Sequence, residues 1–181
     1  MNRQNYPLYE ETAHHLSLCS SDSVLDIGCG NGYVLGMLAV RSDCNYTGID
    51  ISESILKSAA KRNRKFIKNG NMIFKYGDAA KLPFSDSVFD KVYTTINTVY
   101  FWKELNDIMT EIRRVLKPGG RFINTLYTNE TLTRFSHTQF GYKRFTQRQL
   151  ISAAQDAGFG AKAIPIMGGR AYCVVCHAPS L

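Results

Sequence analysis

Asp26, Gly28, Gly30 and Gly32 are the residues whose types and spacing speak most directly of chemistry. They stand in the stretch Val24 to Tyr33, V-L-D-I-G-C-G-N-G-Y, where a short β-prone run meets three alternate glycines and then the apolar run Val34, Leu35, Met37 and Leu38. That order reads as strand, tight turn, helix. Glycine accepts positive φ and has no Cβ, so the backbone of such a turn can approach a ligand closely where free helix N–H groups point outward. A dinucleotide turn would read G-x-G-x-x-G, with its third glycine where this chain has Tyr33. The positive helix end suits a pyrophosphate, yet a carboxylate at Asp26 repels one and attracts a cation. A ligand bearing an ammonium or a sulfonium fits this pairing better.

The elements that position these residues alternate regularly. Leu8 to Leu18 reads as an amphipathic helix, and only about 22 residues precede the first strand. Asn45 to Ile49 reads as the second strand, ending in Asp50, 18 residues past Gly32. A sheet of this type reaches a ribose diol there, because a carboxylate accepts from both hydroxyls. Ser52 or Asp50 could equally cap the next helix, which runs from about Glu53 to Ile67 and stops near Asn69-Gly70. Asn71 to Tyr76 is the third strand and Val88 to Thr95 the fourth. The run Ile96 to Trp102 follows at the carboxyl end of the sheet, where ligands sit; the rings of Tyr100, Phe101 and Trp102 can hold a cationic sulfonium there, with one or two of them expected in the pocket and the rest in the core. Leu105 to Leu116 is a helix closed by Lys117-Pro118-Gly119-Gly120, and Arg121 to Tyr127 is the fifth strand. Thr128 to Phe145 is a long polar connection with interspersed aromatics, longer than filler usually runs, and reads as a substrate-side lid. Thr146 and Gln149 form a capping box at the next helix. Two strands around Met167-Gly168-Gly169 finish the chain as an antiparallel hairpin.

Through these motifs the chain resembles the class I S-adenosylmethionine-dependent methyltransferases. D-I-G-C-G-N-G (26 to 32), Y-T-G-I-D-I-S (46 to 52), G-D-A-A-K-L-P-F (77 to 84), F-D-K-V-Y (89 to 93) and L-K-P-G-G-R-F (116 to 122) follow that family's order, and together they cover nearly the whole chain. Its small-molecule members related to ubiquinone biosynthesis look nearest. The resemblance implies one domain over 1–181, a Rossmann-like three-layer α/β sandwich with a mostly parallel seven-stranded sheet and an antiparallel C-terminal hairpin strand. It implies S-adenosylmethionine as cofactor and S-adenosylhomocysteine as product, bound by Asp26, Gly28, Gly30, Gly32, Asp50, Ile51, Asp78, Ala79 and Thr95. In that register Asp50 holds the ribose, Ile51 packs on the adenine, Asp78 accepts from the adenine amino group and the Ala79 backbone reads the ring. Relatives carry a longer N-terminal cover, so residues 1–22 read as a partial lid that a second copy, in a homodimer, could complete.

Methyl transfer from a sulfonium needs alignment and exclusion of water rather than a metal or a covalent intermediate. If the acceptor is a hydroxyl or carbon acid, a general base helps, and His137, Tyr100 and Tyr142 are the candidates, with His14 and His15 more remote. The acceptor is expected to be a small molecule. Two rival readings share the sheet: a catalytically silent S-adenosylmethionine-binding domain, and an NAD-dependent oxidoreductase that Asp26 and Tyr33 disfavour.

Composition narrows the remaining classes. The net charge is +7, but Lys57, Lys61, Arg62, Arg64, Lys65 and Lys68 spread around several helical faces, which favours a solvated surface over a nucleic-acid interface. There is no apolar run long enough to span a bilayer and no secretory leader, so a cytoplasmic protein is expected. The five cysteines are odd in number and scattered, and are expected reduced. Cys173 and Cys176 fall on opposite faces of a strand, which argues against a shared metal.

Overall fold

The computed structural model describes residues 5–96, 98–135 and 141–180. Its elements in order are α1 (Tyr6–Leu16), β1 (Ser23–Ile27), α2 (Tyr33–Ala39), β2 (Asn45–Asp50), α3 (Glu53–Arg62), α4 (Arg64–Lys68), β3 (Met72–Tyr76), β4 (Phe89–Thr95), α5 (Leu105–Val115), β5 (Leu116–Tyr127), α6 (Asn129–Leu132), α7 (Gln147–Asp156), β6 (Gly160–Ile166) and β7 (Ala171–His177). The seven strands form one sheet in the order β3-β2-β1-β4-β5-β7-β6. Among these strands only β7 runs against the direction of the other six, so its pairings with β5 and with β6 are both antiparallel. The strand order reverses between β1 and β4, and a crevice opens there outside the carboxyl ends of both strands.

Burial follows the sequence pattern. Val24, Leu25 and Ile27 of β1 and Val92 and Tyr93 of β4 are sealed inside, as are Ile108, Met109, Ile112 and Val115 on one face of α5. A strand buried on both faces reads as a continuous apolar run, whereas a helix on the sheet keeps one apolar stripe. Helix α1 lies against β5 and β4. The Thr12 hydroxyl donates to Leu8 O (2.8 Å) and sits 2.7 Å from the Thr125 hydroxyl, which therefore donates to it. The Thr146–Gln149 capping box starts α7 as the spacing indicated.

Two expected elements come out differently. The helix expected over 53 to 67 breaks at Asn63, which is 2 % exposed and turns its side-chain amide inward to donate to Gly32 O (2.9 Å) and Ala59 O (3.0 Å). This long-range hydrogen bond divides α3 from α4 and clamps α3 to the start of α2. Truncation to alanine removes both of these side-chain hydrogen bonds, although Gly32 O keeps the Gly36 N–H and Ala59 O keeps the backbone N–H of residue 63, so Asn63→Ala is expected to lower unfolding free energy by about 1–3 kcal/mol, measured by urea titration. Helix α5 does end at Val115, ahead of Lys117-Pro118-Gly119-Gly120, but these four residues already belong to β5, which was expected only from Arg121: Leu116 pairs with Phe89 and Arg121 with Lys91, so the intervening residues bulge from the ladder.

The basic side chains Lys57, Lys61, Arg62, Arg64, Lys65 and Lys68 are all exposed. Among the described residues no helix is long and apolar enough to cross a membrane.

Candidate functional site

The crevice at the β1/β4 switch point widens into a cavity of about 730 Å³, within the usual size for a small-molecule site. Its floor is the turn after β1. Gly28, Gly30 and Gly32 have φ of +73°, +52° and +67°, a region that side chains with a Cβ seldom adopt. The Gly28 and Cys29 N–H groups both donate to Ile49 O at 2.9 Å, which folds the turn onto β2. A Cβ at Gly30 would meet nothing within 4 Å, so that backbone is open to a ligand. A Cβ at Gly28 would stand 2.3 Å from the Thr98 hydroxyl oxygen. Gly28→Ala therefore combines backbone strain with overpacking and is expected to cost roughly 2–5 kcal/mol. Adding Thr98→Ala should restore part of that loss in thermal unfolding, because it removes the two nearest atoms.

Asp26, Gly28, Gly30, Asp50, Ile51, Asp78, Ala79 and Thr95 all lie in the cavity wall. Gly32 is not among the wall residues. It is glycine because α2 starts there at positive φ with the Asn63 amide packed 2.5 Å from where a Cβ would be, so its part is to shape the turn.

Each acid is held in its own way. The Asp26 carboxyl is 2 % exposed and accepts from the Tyr93 hydroxyl at 2.9 Å. Burial pushes its pKa up to about 7; the Tyr93 hydrogen bond pulls it down, and the Asp50 charge pushes it further up. Asp50 is half-buried at the end of β2 and accepts from the Gly30 N–H through one oxygen and from the Ser52 N–H through the other, each at 3.0 Å. Ser52, not Asp50, caps α3, with its hydroxyl accepting from the Ile55 N–H. Asp78 is exposed and closes its own turn by accepting from the Ala80 N–H at 2.9 Å.

The opposite wall follows β4. Ile96 has φ of +47°, an uncommon conformation for a β-branched residue, and stands at the lining of the cavity. Thr98, Phe101, Trp102 and the first turn of α5, with Asp107 and Ile108, complete that side. Ile51, just past the end of β2, and Phe101 on this side are 65 % and 58 % exposed, so both offer apolar contact to a ring lying in the cavity. Among the described residues the wall carries five acids, Asp26, Asp50, Asp78, Glu104 and Asp107, against the single cation Lys103. A basic protein thus surrounds an acidic cavity, as a cationic ligand requires.

The candidate bases fare otherwise. Tyr100 is fully buried and outside the wall; its hydroxyl accepts from the Tyr127 N–H (3.1 Å), and burial pushes its pKa far up. It serves packing, which corrects the expectation that it reaches an acceptor. Tyr142 is also outside the described wall; its ring stacks on Tyr100 with centroids 5.2 Å apart and meets the edge of Phe101 at 5.0 Å. His137 lies outside the described residues, and His14 and His15 are not in the wall. Cys173 and Cys176 are buried, and burial pushes both thiols up to about 12, so they remain protonated core residues at neutral pH. Thr98 lies in the run that the sequence placed at the carboxyl end of the sheet, whereas Tyr9 lines the cavity without having announced itself, since packing across the fold delivers it and no local motif marks it.

The family model described as "Methyltransferase domain" matches residues 24–120. The uncharacterized methyltransferase YdaC of Bacillus subtilis (strain 168) is 32% identical over 161 residues, covering 88% of this chain and 83% of YdaC. The 27-O-demethylrifamycin SV methyltransferase of Amycolatopsis mediterranei (strain S699) is 36% identical over 114 residues, 63% of this chain but only 42% of that enzyme's length. Among solved structures, the fold matches the geranyl diphosphate C-methyltransferase of Streptomyces coelicolor A3(2), in complex with Mg2+, geranyl diphosphate and S-adenosyl-L-homocysteine, with a TM-score of 0.81 at 16% identity. That match covers 99% of this chain and 82% of the other. With a glycine turn, strand-end acids and family match coinciding over the same residues, the chain belongs to the methyltransferase domain family.

Proposed function

We propose that the cavity binds S-adenosylmethionine and that the protein transfers its methyl group to a small-molecule acceptor. The observation that carries this reading is Asp26, a buried carboxyl in the cavity wall beside an open glycine backbone. An ammonium supplies the counter-charge that such a group lacks, whereas a pyrophosphate would leave two like charges facing each other. When bound, the sulfonium supplies an activated methyl: the acceptor's lone pair forms the new bond to carbon, the sulfur–carbon bond breaks, and its electron pair remains on sulfur as S-adenosylhomocysteine.

The residues of the chain align and enclose. Asp26 orients the charged amino-acid end, Asp50 the ribose, and the Asp78–Ala79 turn the base, with Ile51 against its face. Residues 128–145 form the acceptor-side cover in this reading. The Lys143 N–H donates to Tyr100 O at 2.8 Å and Tyr142 packs on Phe101, which is itself a wall residue. His137 is the proposed proton acceptor within that segment, and an unchanged turnover of His137→Ala on the true acceptor would remove it.

Calorimetric titration decides the cofactor. S-adenosylhomocysteine should bind and NAD should not; the reverse result would replace methyl transfer with redox chemistry. Labelled S-adenosylmethionine offered with a panel of small hydroxyl, amine and carbon acceptors then identifies the second substrate.

A further inference from the structure

An aromatic corner of the cavity lies outside all the motifs. Tyr9 reaches it from α1 and Tyr33 from the first residue of α2, their ring centres 5.7 Å apart and their planes inclined at 48°. Both belong to the same wall as Asp26. Neither ring is loose. Tyr9 is 7 % exposed, and its backbone N–H donates to Asn5 O at 3.2 Å, while the Asn5 side-chain oxygen accepts from the Tyr127 hydroxyl at 3.0 Å. The Arg62 guanidinium, which is not a wall residue, lies over the Tyr33 ring 5.7 Å from its centre and holds it from outside.

Both rings border one volume, and aromatic rings attract cations more strongly when water is excluded. The nearby acids Asp26 and Asp50 have the same sign preference. Tyr100, Phe101 and Trp102, the run expected from the sequence to hold a sulfonium, contribute Phe101 and Trp102 to the wall on the α5 side instead.

We infer that the Tyr9–Tyr33 corner is the seat of the positively charged sulfur of the donor, which makes α1 part of the donor site rather than only a cover. This rests on the cavity being an S-adenosylmethionine site, as proposed above. The corner has a consequence for turnover. Once the methyl has left, the sulfur is neutral and loses its attraction to the rings, so the corner favours the donor over the product and aids product exchange.

The test compares two ligands that differ in charge at one position: sinefungin, with an ammonium-bearing carbon in place of sulfur, and S-adenosylhomocysteine, a neutral thioether. Their dissociation constants are measured for the wild type and for Tyr9→Leu, Tyr9→Phe, Tyr33→Leu and Tyr33→Phe. The wild type should prefer sinefungin, the leucine variants should lose about fivefold of that preference, and the phenylalanine variants should keep it. A preference unchanged in the leucine variants overturns the inference, as does an equal loss in the phenylalanine variants, which would assign the effect to the hydroxyls. If Tyr9→Leu does not fold, the Tyr33 pair decides by the same criterion. A wild type that binds neither ligand overturns the cavity reading itself, which is a different result from a flat ratio.

Discussion

Asp50→Asn is expected to weaken S-adenosylhomocysteine binding by about 100-fold or more while the protein still folds. Both oxygens of this carboxylate already accept from backbone N–H groups, one from Gly30 and one from Ser52. An asparagine has one acceptor and one donor at those positions, so neither orientation of the amide satisfies both. Whichever way it turns, an N–H faces an N–H, and either the glycine turn or the entry to α3 is pushed away. The same substitution removes negative charge from the group proposed to accept from two ribose hydroxyls. Hydrogen bonds to charged groups contribute about 1.5–3 kcal/mol each, and losing their surplus in two places amounts to roughly 3 kcal/mol, or two decades in affinity. Calorimetry reads the affinity, and circular dichroism confirms the fold. A loss below fivefold would show that Asp50 braces the turn without touching the ligand.

The parts of this site that were legible in the sequence are those where backbone geometry dictates residue type. Positive φ at 28, 30 and 32 calls for glycine, and a strand that ends beside that turn places Asp50 within reach of its N–H groups. Such demands are local, so spacing reveals them. Ser52 illustrates the limit: either it or Asp50 could have capped α3, and only the Ile55 N–H pointing to the serine hydroxyl separates the two. Helical periodicity from 53 to 67 likewise gave no sign of the break at Asn63, because the acceptor that draws its amide inward, Gly32 O, lies 31 residues earlier. Within Tyr100, Phe101 and Trp102, side-chain direction depends on the tight turn over Val99–Phe101, which buries Tyr100 and leaves Phe101 exposed. Tyr9 reaches the cavity only after α1 has docked on β5 and β4, a tertiary outcome that no spacing encodes.

Asp26→Asn is expected to separate stability from binding, because the two respond to its charge with opposite signs. The folded protein holds this carboxyl at a pKa of about 7, whereas the unfolded chain releases its proton near pH 4. Between those values the folded state keeps a proton that the unfolded state has lost, so stability falls as pH rises through this window and the cost is complete above pH 7. Asparagine carries no charge and still accepts from the Tyr93 hydroxyl through its carbonyl oxygen. Urea unfolding should therefore show little difference between variant and wild type near pH 4 and a gain for the variant at pH 8. Binding runs the other way. A cationic ligand favours the ionised carboxyl, so wild-type affinity for S-adenosylhomocysteine should climb between pH 6 and 8. Near pH 7 binding should release a proton, visible as a dependence of the calorimetric heat on the ionisation enthalpy of the buffer. In Asp26→Asn the climb and the release should both vanish, with affinity at pH 8 lower by about 10- to 100-fold, the range for a lost charged hydrogen bond. A variant that binds as tightly as the wild type, with the same pH profile, would show that Asp26 faces no cation and would remove the observation on which the cofactor assignment rests.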